Sequence, residues 1–469
     1  MKELNNDIKN INVKNKNSKS KKEKSTTKYS LSIKIIIVLF VLLMTFLIIY
    51  KIKDNNNDDL KQQQQLNDWF SMYASSTYAE VSKYIVYGTH FNIEGTLEYT
   101  KVSGISIKNV SLIAKNLNSP ELIIDSTYNY SDNTISFSTI DKINSGLDLE
   151  SLKNSNYYLA LKVSLTNGDT NYYSLINKTE YPSVTYYSLT RNNTNNKIDI
   201  TFDTYNQIPY MCFVISTIDT LPDNVYDVVI DPGHGGADSG AVYKDYTESS
   251  IVLDCAKNLK SDLENLGLKV LLTRDGSEDK SYKESSTYED NGRVTIANES
   301  HAKISISLHL NSNTDIKSGG LEVYSPSNCD LTLASLLASN ISTYAGANYS
   351  SRKSFKQLDG VYVQNFTNAD IIAFETKAKK QGYEPYKLTK STPYLYMIRE
   401  IGGIATNAFV DGRNKSYGIN KYYKSNIGLE GYLIELGYMK VSSDLENILS
   451  NFSKYMLGIS DAIKTFYAL

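Results

Sequence analysis

Apolar and polar residues alternate along much of the chain between residues 76 and 222, as they do in β-strands with one buried face. Every second position from Tyr157 to Leu165 is apolar, and Asn167-Gly168 follows directly, which is a strong β-hairpin signal. The run Val184–Leu189, the turn-forming residues 192–197 and the apolar positions 198, 200 and 202 predict a second hairpin. Many short strands at regular spacing favour an all-β, sandwich-like domain of about seven strands over residues 76–222.

The apolar run 31–50 predicts a different element, a transmembrane signal-anchor helix. Its length corresponds to ~30 Å, the thickness of a bilayer core. Residues 1–30 contain nine lysines and three acidic residues, so we expect a basic cytoplasmic tail and an extracellular location for everything after Tyr50. A cleaved signal peptide is the competing interpretation, although the following KIKDNNNDDL has no small-residue cleavage site. Residues 51–75 are predicted to form a polar linker.

The pattern changes again after residue 222. Short apolar runs at 228–230, 269–272, 304–308 and 432–434 predict buried parallel strands. Between the first two, the apolar stripe Val252, Leu259, Leu263 and Leu266 predicts a helix that begins at Glu248, with Thr247 as its N-cap. We therefore expect residues 223–469 to form an α/β catalytic domain, with a twisted, mostly parallel sheet and helices on both faces.

Composition excludes several classes of protein. The net charge of -2 and the pI of about 6.2 argue against a nucleic-acid partner, which would require an excess of positive charge. The three cysteines, Cys212, Cys255 and Cys329, are far apart in sequence and form no C-x-x-C pair. A disulfide scaffold and a cysteine-built zinc module are therefore not expected.

Four candidate chemical groups lie at the ends of the predicted strands or at the helix start. His234 and His309 each follow an apolar run, Glu248 begins the helix, and Glu435 follows residues 432–434. Open α/β sheets gather such positions at one edge. Two imidazoles and one carboxylate make a catalytic zinc site, and a second carboxylate can accept a proton from water and pass it to a leaving amine.

The segments VVIDPGHGGADSGA, VLLTRD, GRVTIAN, ISISLHLNSN, GGLEVY and YLIELGYM resemble, in the same order, the type 3 catalytic domain of zinc-dependent N-acetylmuramoyl-L-alanine amidases. The resemblance covers about residues 226–364 and 426–469. It implies that His234, Glu248 and His309 hold one Zn2+ ion and that Glu435 is the catalytic acid/base. It also implies a cell-wall hydrolase that cleaves the amide bond between N-acetylmuramic acid and L-alanine in peptidoglycan.

The chain departs from the family pattern at about residues 365–425, where a long insertion precedes the last strand. Long insertions beside an active site are often lids. We expect this one either to cover the zinc edge, with Glu400 or another carboxylate in the open metal position, or to pack on the flank of the domain.

Together these features predict a single-pass protein of the cell membrane whose catalytic domain faces the cell wall. The expected partners are peptidoglycan and, through residues 31–50, the cytoplasmic membrane, with no nucleic acid. Two alternatives remain open: a latent or non-catalytic wall-docking scaffold with an amidase fold, and a zinc peptidase that acts within the stem peptide.

Overall fold

The computed structural model describes residues 36, 39–40, 43–45, 51, 58–73, 77–140, 145–179, 183–189, 195–278, 292–312, 319–382, 388–401 and 427–469. The chain divides into two compact units, Met1–Asp68 and Trp69–Leu469. The predicted basic tail and most of the predicted anchor lie outside the described residues. Within the described part of the chain, no helix combines the length and the apolar character needed to cross a bilayer.

In the first unit, residues 58–68 of the predicted polar linker are helical. Gln and Lys are good helix formers, and Gln64 Nε2 donates a hydrogen bond to Asp68 Oδ1 at 2.8 Å, one turn away. The linker prediction missed this helix because a polar composition does not by itself prevent helix formation.

The β-rich part of the second unit starts earlier than residue 76. Trp69, Phe70 and Tyr73 are buried, and the Phe70 ring stacks on Tyr205 at a centroid distance of 4.7 Å. These aromatic side chains lie within the predicted linker, residues 51–75, and bury apolar area against the strands.

Twelve strands are described between residues 79 and 218, whereas the sequence predicts about seven. Several of the additional strands have only two to five residues, too few for a clear alternation. A 3-10 turn, Leu149–Ser151, follows the short strand Leu147–Asp148. The strands β1–β12 are Ala79–Tyr87, His90–Glu98, Ile107–Lys115, Leu122–Asp125, Thr127–Ser131, Thr134–Ser138, Leu147–Asp148, Tyr157–Leu165, Thr170–Asn177, Ser183–Tyr187, Asn195–Tyr205 and Ile208–Ile218.

These strands form one sheet that curves back on itself. Its main path is β10-β11-β12-β8-β9-β1-β2-β6-β5. Three strands separate β2, which carries Phe91, from β12, which carries Phe213, along this path, yet the two ring centroids are 5.0 Å apart. One apolar core fills the space between the two halves of the sheet. The predicted hairpins are present as the pairs β8–β9 and β10–β11.

The remaining elements form the α/β part of the unit. The helices α1–α6 are Glu248–Asn265, Arg293–Glu299, Thr332–Ala345, Asn368–Gln381, Tyr396–Ile401 and Ser442–Tyr467. The strands β13–β22 are Val228–Pro232, Val242–Tyr243, Tyr246–Thr247, Val270–Leu272, Ile304–Asn311, Glu322–Tyr324, Lys356–Leu358, Val361–Tyr362, Ile427–Gly428 and Glu430–Tyr438.

The α/β sheet has the order β16-β13-β17-β22-β18-β20-β19. Its first four strands are parallel, and β18 pairs with β22 in the antiparallel direction. Helices α1, α3 and α6 share an apolar cluster with one face of the sheet, and α2 and α5 pack on the other. The prediction of a mostly parallel sheet with helices on both faces is therefore confirmed for this part of the chain.

Two helices of the insertion are described, α4 and α5. In α5 the side chains of Met397, Ile398 and Ile401 are buried in the apolar clusters that cover the sheet. This packing favours the flank interpretation for α5. Residues 383–387 and 402–426 of the insertion lie outside the described residues.

The β-rich and α/β parts share a strand pairing. β21 immediately precedes β22 and pairs in parallel with Val86 and Tyr87 of β1. Gly88 N also donates a hydrogen bond to Gly428 O at 2.9 Å. The predicted boundary between residues 222 and 223 falls in the segment that connects β12 to β13.

Candidate metal centre and active site

His234 is presented by a tight loop at the carboxyl end of β13. Its backbone adopts a φ of 62°, a left-handed conformation that is uncommon for a residue with a side chain. A Cβ on the preceding Gly233 would lie 2.2 Å from His309 Cε1. Glycine is therefore required at position 233, since only its bare backbone allows the two histidine-bearing segments to approach this closely.

Two arginines hold the carbonyl groups of this loop. Arg274 Nε donates to Pro232 O at 2.8 Å, and its Nη2 donates to Gly233 O at 2.9 Å. Arg293 Nη2 donates to His234 O at 2.8 Å. Because both side chains are buried, these charge-assisted bonds fix the loop conformation that aims His234.

A buried ion pair underlies the loop. Asp231, fully buried at the end of β13, accepts from Arg293 Nη1 at 2.8 Å, Thr273 Oγ1 at 2.6 Å and Ser307 Oγ at 2.7 Å. Burial alone would raise the pKa of Asp231, but the Arg293 charge and the two hydroxyl donors outweigh it and hold the pKa below its usual value. Asp231 is therefore a charged structural residue.

Glu248 is the first residue of α1, as the sequence predicts. Thr247 caps the helix by accepting from Ser250 N. The Glu248 carboxylate is itself held by two backbone amides: Ala241 N donates to Oε2 at 2.9 Å, and Leu310 N donates to Oε1 at 2.9 Å. These bonds join α1 to β17 and fix the direction of the carboxylate.

The structure brings His234, Glu248 and His309 together. Glu248 Oε1 lies 3.0 Å from His234 Nε2 and 3.0 Å from His309 Nδ1. One donor atom from each residue lies within 4.8 Å of the others, so the group could hold a metal ion. Burial opposes ionisation of Glu248, but its contacts with the two histidines hold its pKa far below the usual range. Two nitrogens and one carboxylate oxygen are donors that suit zinc.

Asp238 is a member of the site that sequence reasoning missed. Its Oδ2 lies 2.9 Å from His234 Nδ1, and its Oδ1 accepts from Gly240 N at 2.9 Å. Metal-binding histidines usually engage a carboxylate through their second ring nitrogen, which fixes the tautomer and orients the ring. The sequence did contain a signal for this contact, because the acidic residue Asp238 lies only four positions after the candidate ligand His234.

Glu435 stands beside this group on β22. It is in register with His309 across the parallel pair β17–β22 and with Glu322 across the antiparallel pair β18–β22. Its Oε2 is buried and has no hydrogen-bond partner among the described residues. Burial raises the pKa of Glu435 to about 7, with the neighbouring carboxylates of Glu248 and Glu322 acting in the same direction and the two histidines opposing it.

Glu400 does not join the histidines and Glu248 in the metal group, which corrects the suggestion that it occupies the open metal position. It is buried on α5, and its Oε1 accepts from Arg399 Nε at 2.8 Å. Neutralisation by an adjacent arginine allows the carboxylate to be buried in the flank of the sheet.

Residues 228–394 match the family model of N-acetylmuramoyl-L-alanine amidase. The chain is 37% identical over 102 residues to the amidase AmiA of Escherichia coli (strain K12), and this alignment covers 22% of this chain and 32% of AmiA. It is 32% identical over 111 residues to the germination-specific amidase of Bacillus subtilis (strain 168), covering 22% of this chain and 47% of that protein. The chain thus spans between a third and a half of the length of these relatives.

Among solved structures, the N-acetylmuramoyl-L-alanine amidase from Clostridium difficile 630 matches 52% of this chain and 97% of its own, with 21% sequence identity and a TM-score of 0.33.

Proposed function

We propose that this chain is a zinc-dependent N-acetylmuramoyl-L-alanine amidase, which hydrolyses the amide bond between N-acetylmuramic acid and the first L-alanine of the peptidoglycan stem peptide. The observation that carries the proposal is the convergence of His234, Glu248 and His309 next to the unbonded carboxyl oxygen of Glu435. The family match over residues 228–394 and the similarity to two curated amidases support the same reaction.

His234 Nε2, His309 Nδ1 and a Glu248 oxygen would hold the zinc ion. Bound zinc would supply Lewis-acid polarisation of the scissile carbonyl and activation of water. The remaining contacts hold these donors in place: Asp238 orients the His234 ring, and the amides of Ala241 and Leu310 orient Glu248. These contacts hold the donors in position, so little reorganisation is needed when the ion binds.

Glu435 is the general base and then the general acid. Its carboxylate accepts a proton from the attacking water and passes it to the nitrogen of the leaving L-alanine. A pKa of about 7 allows the group both to accept and to return a proton near neutral pH. No hydrogen bond from the described residues occupies Oε2, so the carboxyl group is not committed to a structural contact through this atom.

We further propose that residues 31–50 anchor the protein in the cytoplasmic membrane, with the N-terminus inside and the catalytic domain facing the wall. The twenty-residue apolar run and the lysine excess before it support this arrangement. Membrane fractionation of the full-length chain and of a form that begins at Lys51 tests it. Recovery of the full-length chain in the soluble fraction would contradict the anchor.

The activity is tested by incubating the purified, zinc-loaded chain with peptidoglycan and identifying the products by mass spectrometry. We expect intact stem peptides that begin with L-alanine, and no release after chelation or in a Glu435→Gln variant. Fragments cut within the stem would indicate the peptidase alternative. A folded chain that holds zinc and releases nothing would indicate the scaffold.

A further inference from the structure

Arg352 lies beside the carboxyl groups of the site, on a loop that the proposed reaction does not use. Its Nη1 is 3.6 Å from Glu322 Oε2. Glu322 is directly opposite Glu435, and Glu435 is in register with His309, so these three side chains emerge from the same face on adjacent strands. Arg352 therefore borders the same row of side chains as the proposed acid/base.

Most of the hydrogen-bonding capacity of Arg352 is unused. Nη1 donates to Tyr324 Oη at 2.6 Å, but Nε and Nη2 have no partner among the described residues. The side chain is 26% exposed. A partly exposed arginine with two nitrogen donors that have no partner among the described residues suits bidentate binding of a carboxylate.

Glu322 does not need Arg352 as a hydrogen-bond donor. Its Oε1 accepts from Tyr438 Oη at 2.5 Å and its Oε2 accepts from Tyr324 Oη at 2.6 Å. Arg352 donates its hydrogen bond to Tyr324 Oη, and Tyr324 in turn donates to Glu322. The ion pair with Glu322 and the hydrogen bond to Tyr324 both use Nη1, which leaves Nε and Nη2 for a ligand.

The other arginines of the site are already committed. Arg274 and Arg293 are buried and donate to loop carbonyls and to Glu278 and Asp231. They cannot turn towards a ligand without releasing the His234 loop. Among the described arginines near the catalytic edge, Arg352 is the one that is partly exposed and has donors to spare.

The loop that carries Arg352 is held firmly. Ser350 N donates to Leu321 O at 3.1 Å, and Tyr362 Oη contacts the carbonyl oxygens of both Ser350 and Arg352 at 3.2 and 3.3 Å. The guanidinium lies 5.6 Å from the ring centre of Phe355. A donor group fixed in this way loses little conformational entropy when it binds a ligand.

The distance across the sheet from His309 to Glu322, the neighbour of Arg352, limits the part of the substrate that Arg352 can contact. Neighbouring strands are ~4.8 Å apart, so Glu322 lies ~10 Å across the sheet from His309. An extended peptide advances ~3.5 Å per residue, so a group two or three residues beyond the cleaved amide can span this distance. A carboxylate at such a position of the substrate would lie within reach of Arg352.

We infer that Arg352 is a substrate-binding residue that receives a carboxylate of the stem peptide and thereby places the cleaved amide beside Glu435. This inference rests on the proposed function and adds to it a residue that determines specificity. Binding of this carboxylate by Arg352 makes the enzyme selective for stem peptides whose second residue is acidic over stem peptides whose second residue is amidated.

The test compares two muramyl dipeptides whose second residue is either D-glutamate with free carboxylates or the corresponding diamide. Arg352→Gln should lower kcat/KM for the acidic substrate by about 10- to 100-fold, mainly through KM, because charge-assisted hydrogen bonds are lost. The diamide should be hydrolysed equally by wild type and variant.

Arg352→Lys should restore part of the preference, since it keeps the charge but not the fork. Exposed Lys353 provides the matched control, and Lys353→Gln should leave both rates unchanged.

A second readout does not depend on turnover. Calorimetric binding of the acidic dipeptide to zinc-loaded Glu435→Gln protein should weaken by a similar factor when Arg352→Gln is added. Equal loss on the acidic and diamide substrates, or unchanged binding, would show that Arg352 only supports Glu322. If wild type hydrolysed neither compound, the proposed function would fail, and the binding comparison would still decide the role of Arg352.

Discussion

Glu322 and Glu435 lie directly opposite each other in the antiparallel pair β18–β22, yet their carboxyl groups differ in their hydrogen-bond partners. Glu322 accepts hydrogen bonds from Tyr324 and Tyr438, whereas Oε2 of Glu435 accepts none from the described residues. One carboxylate is fixed as a structural acceptor and the other is left available for proton transfer.

This difference predicts opposite effects of the same substitution. Glu435→Gln should lower turnover by about 10²- to 10⁴-fold while the melting temperature stays constant or rises, because it removes an unpaired buried acid. Glu322→Gln should lower the free energy of unfolding by about 1.5–3 kcal/mol, because two hydroxyl donors lose an anionic acceptor. Turnover and thermal unfolding of both variants check this, and a stable, active Glu435→Gln protein would place the acid/base elsewhere.

Asp238→Asn should weaken zinc binding. The variant keeps the shape of the side chain but loses the charge that faces His234 Nδ1, and such substitutions typically lower metal affinity about 10- to 100-fold. Competition for zinc against a fluorescent chelator measures the change. Ser239→Ala, next to it on the same loop, is the control and should bind zinc normally.

The buried pair of Asp231 and Arg293 should be essential for stability. Arg293→Met leaves a fully buried carboxylate without its cation, which should cost about 3–5 kcal/mol in chemical denaturation. Adding Asp231→Asn to Arg293→Met should recover part of this loss, because the uncompensated charge is removed. A double variant less stable than the Arg293→Met single variant would contradict this explanation.

Helix α5 should behave as part of the domain core. Ile398→Ala should lower the free energy of unfolding by about 2–5 kcal/mol, since its side chain is buried with Tyr324, Tyr362 and Leu433. The exposed Ile372 of α4 is a matched control, and Ile372→Ala should change stability little. Equal and small effects at both positions would contradict a role for α5 in the core.

Glu430 should make stability depend on pH. Burial raises its pKa from 4.5 to about 8, with Asp330 and Asp148 acting in the same direction and the Tyr432 hydrogen bond opposing it. Between these two values the folded chain holds a proton that the unfolded chain has released. The free energy of unfolding should therefore fall as pH rises through this range, by at most ~1.4 kcal/mol per pH unit from this group. Glu430→Gln should flatten the profile measured by urea titration, and an unchanged slope would assign it to other groups.

The sequence alone identified the α/β pattern, the two hairpins and the four candidate side chains His234, Glu248, His309 and Glu435. These inferences succeed because they depend on local regularities: a period of two in a strand, an apolar stripe in a helix, and the order of motifs along the chain. His234 follows β13 and Glu248 begins α1, as predicted, whereas His309 and Glu435 lie inside β17 and β22, which continue for two and three more residues.

Only the tertiary structure decided which groups surround those side chains. The contact of Asp238 with His234, the burial of Glu400 against Arg399, the curvature that brings Phe91 to Phe213 and the place of Arg352 beside Glu322 are all absent from the local pattern. Each depends on loop conformation or on contacts between segments far apart in sequence, whose energies are set by packing and burial in the folded chain and leave no periodic signal along it.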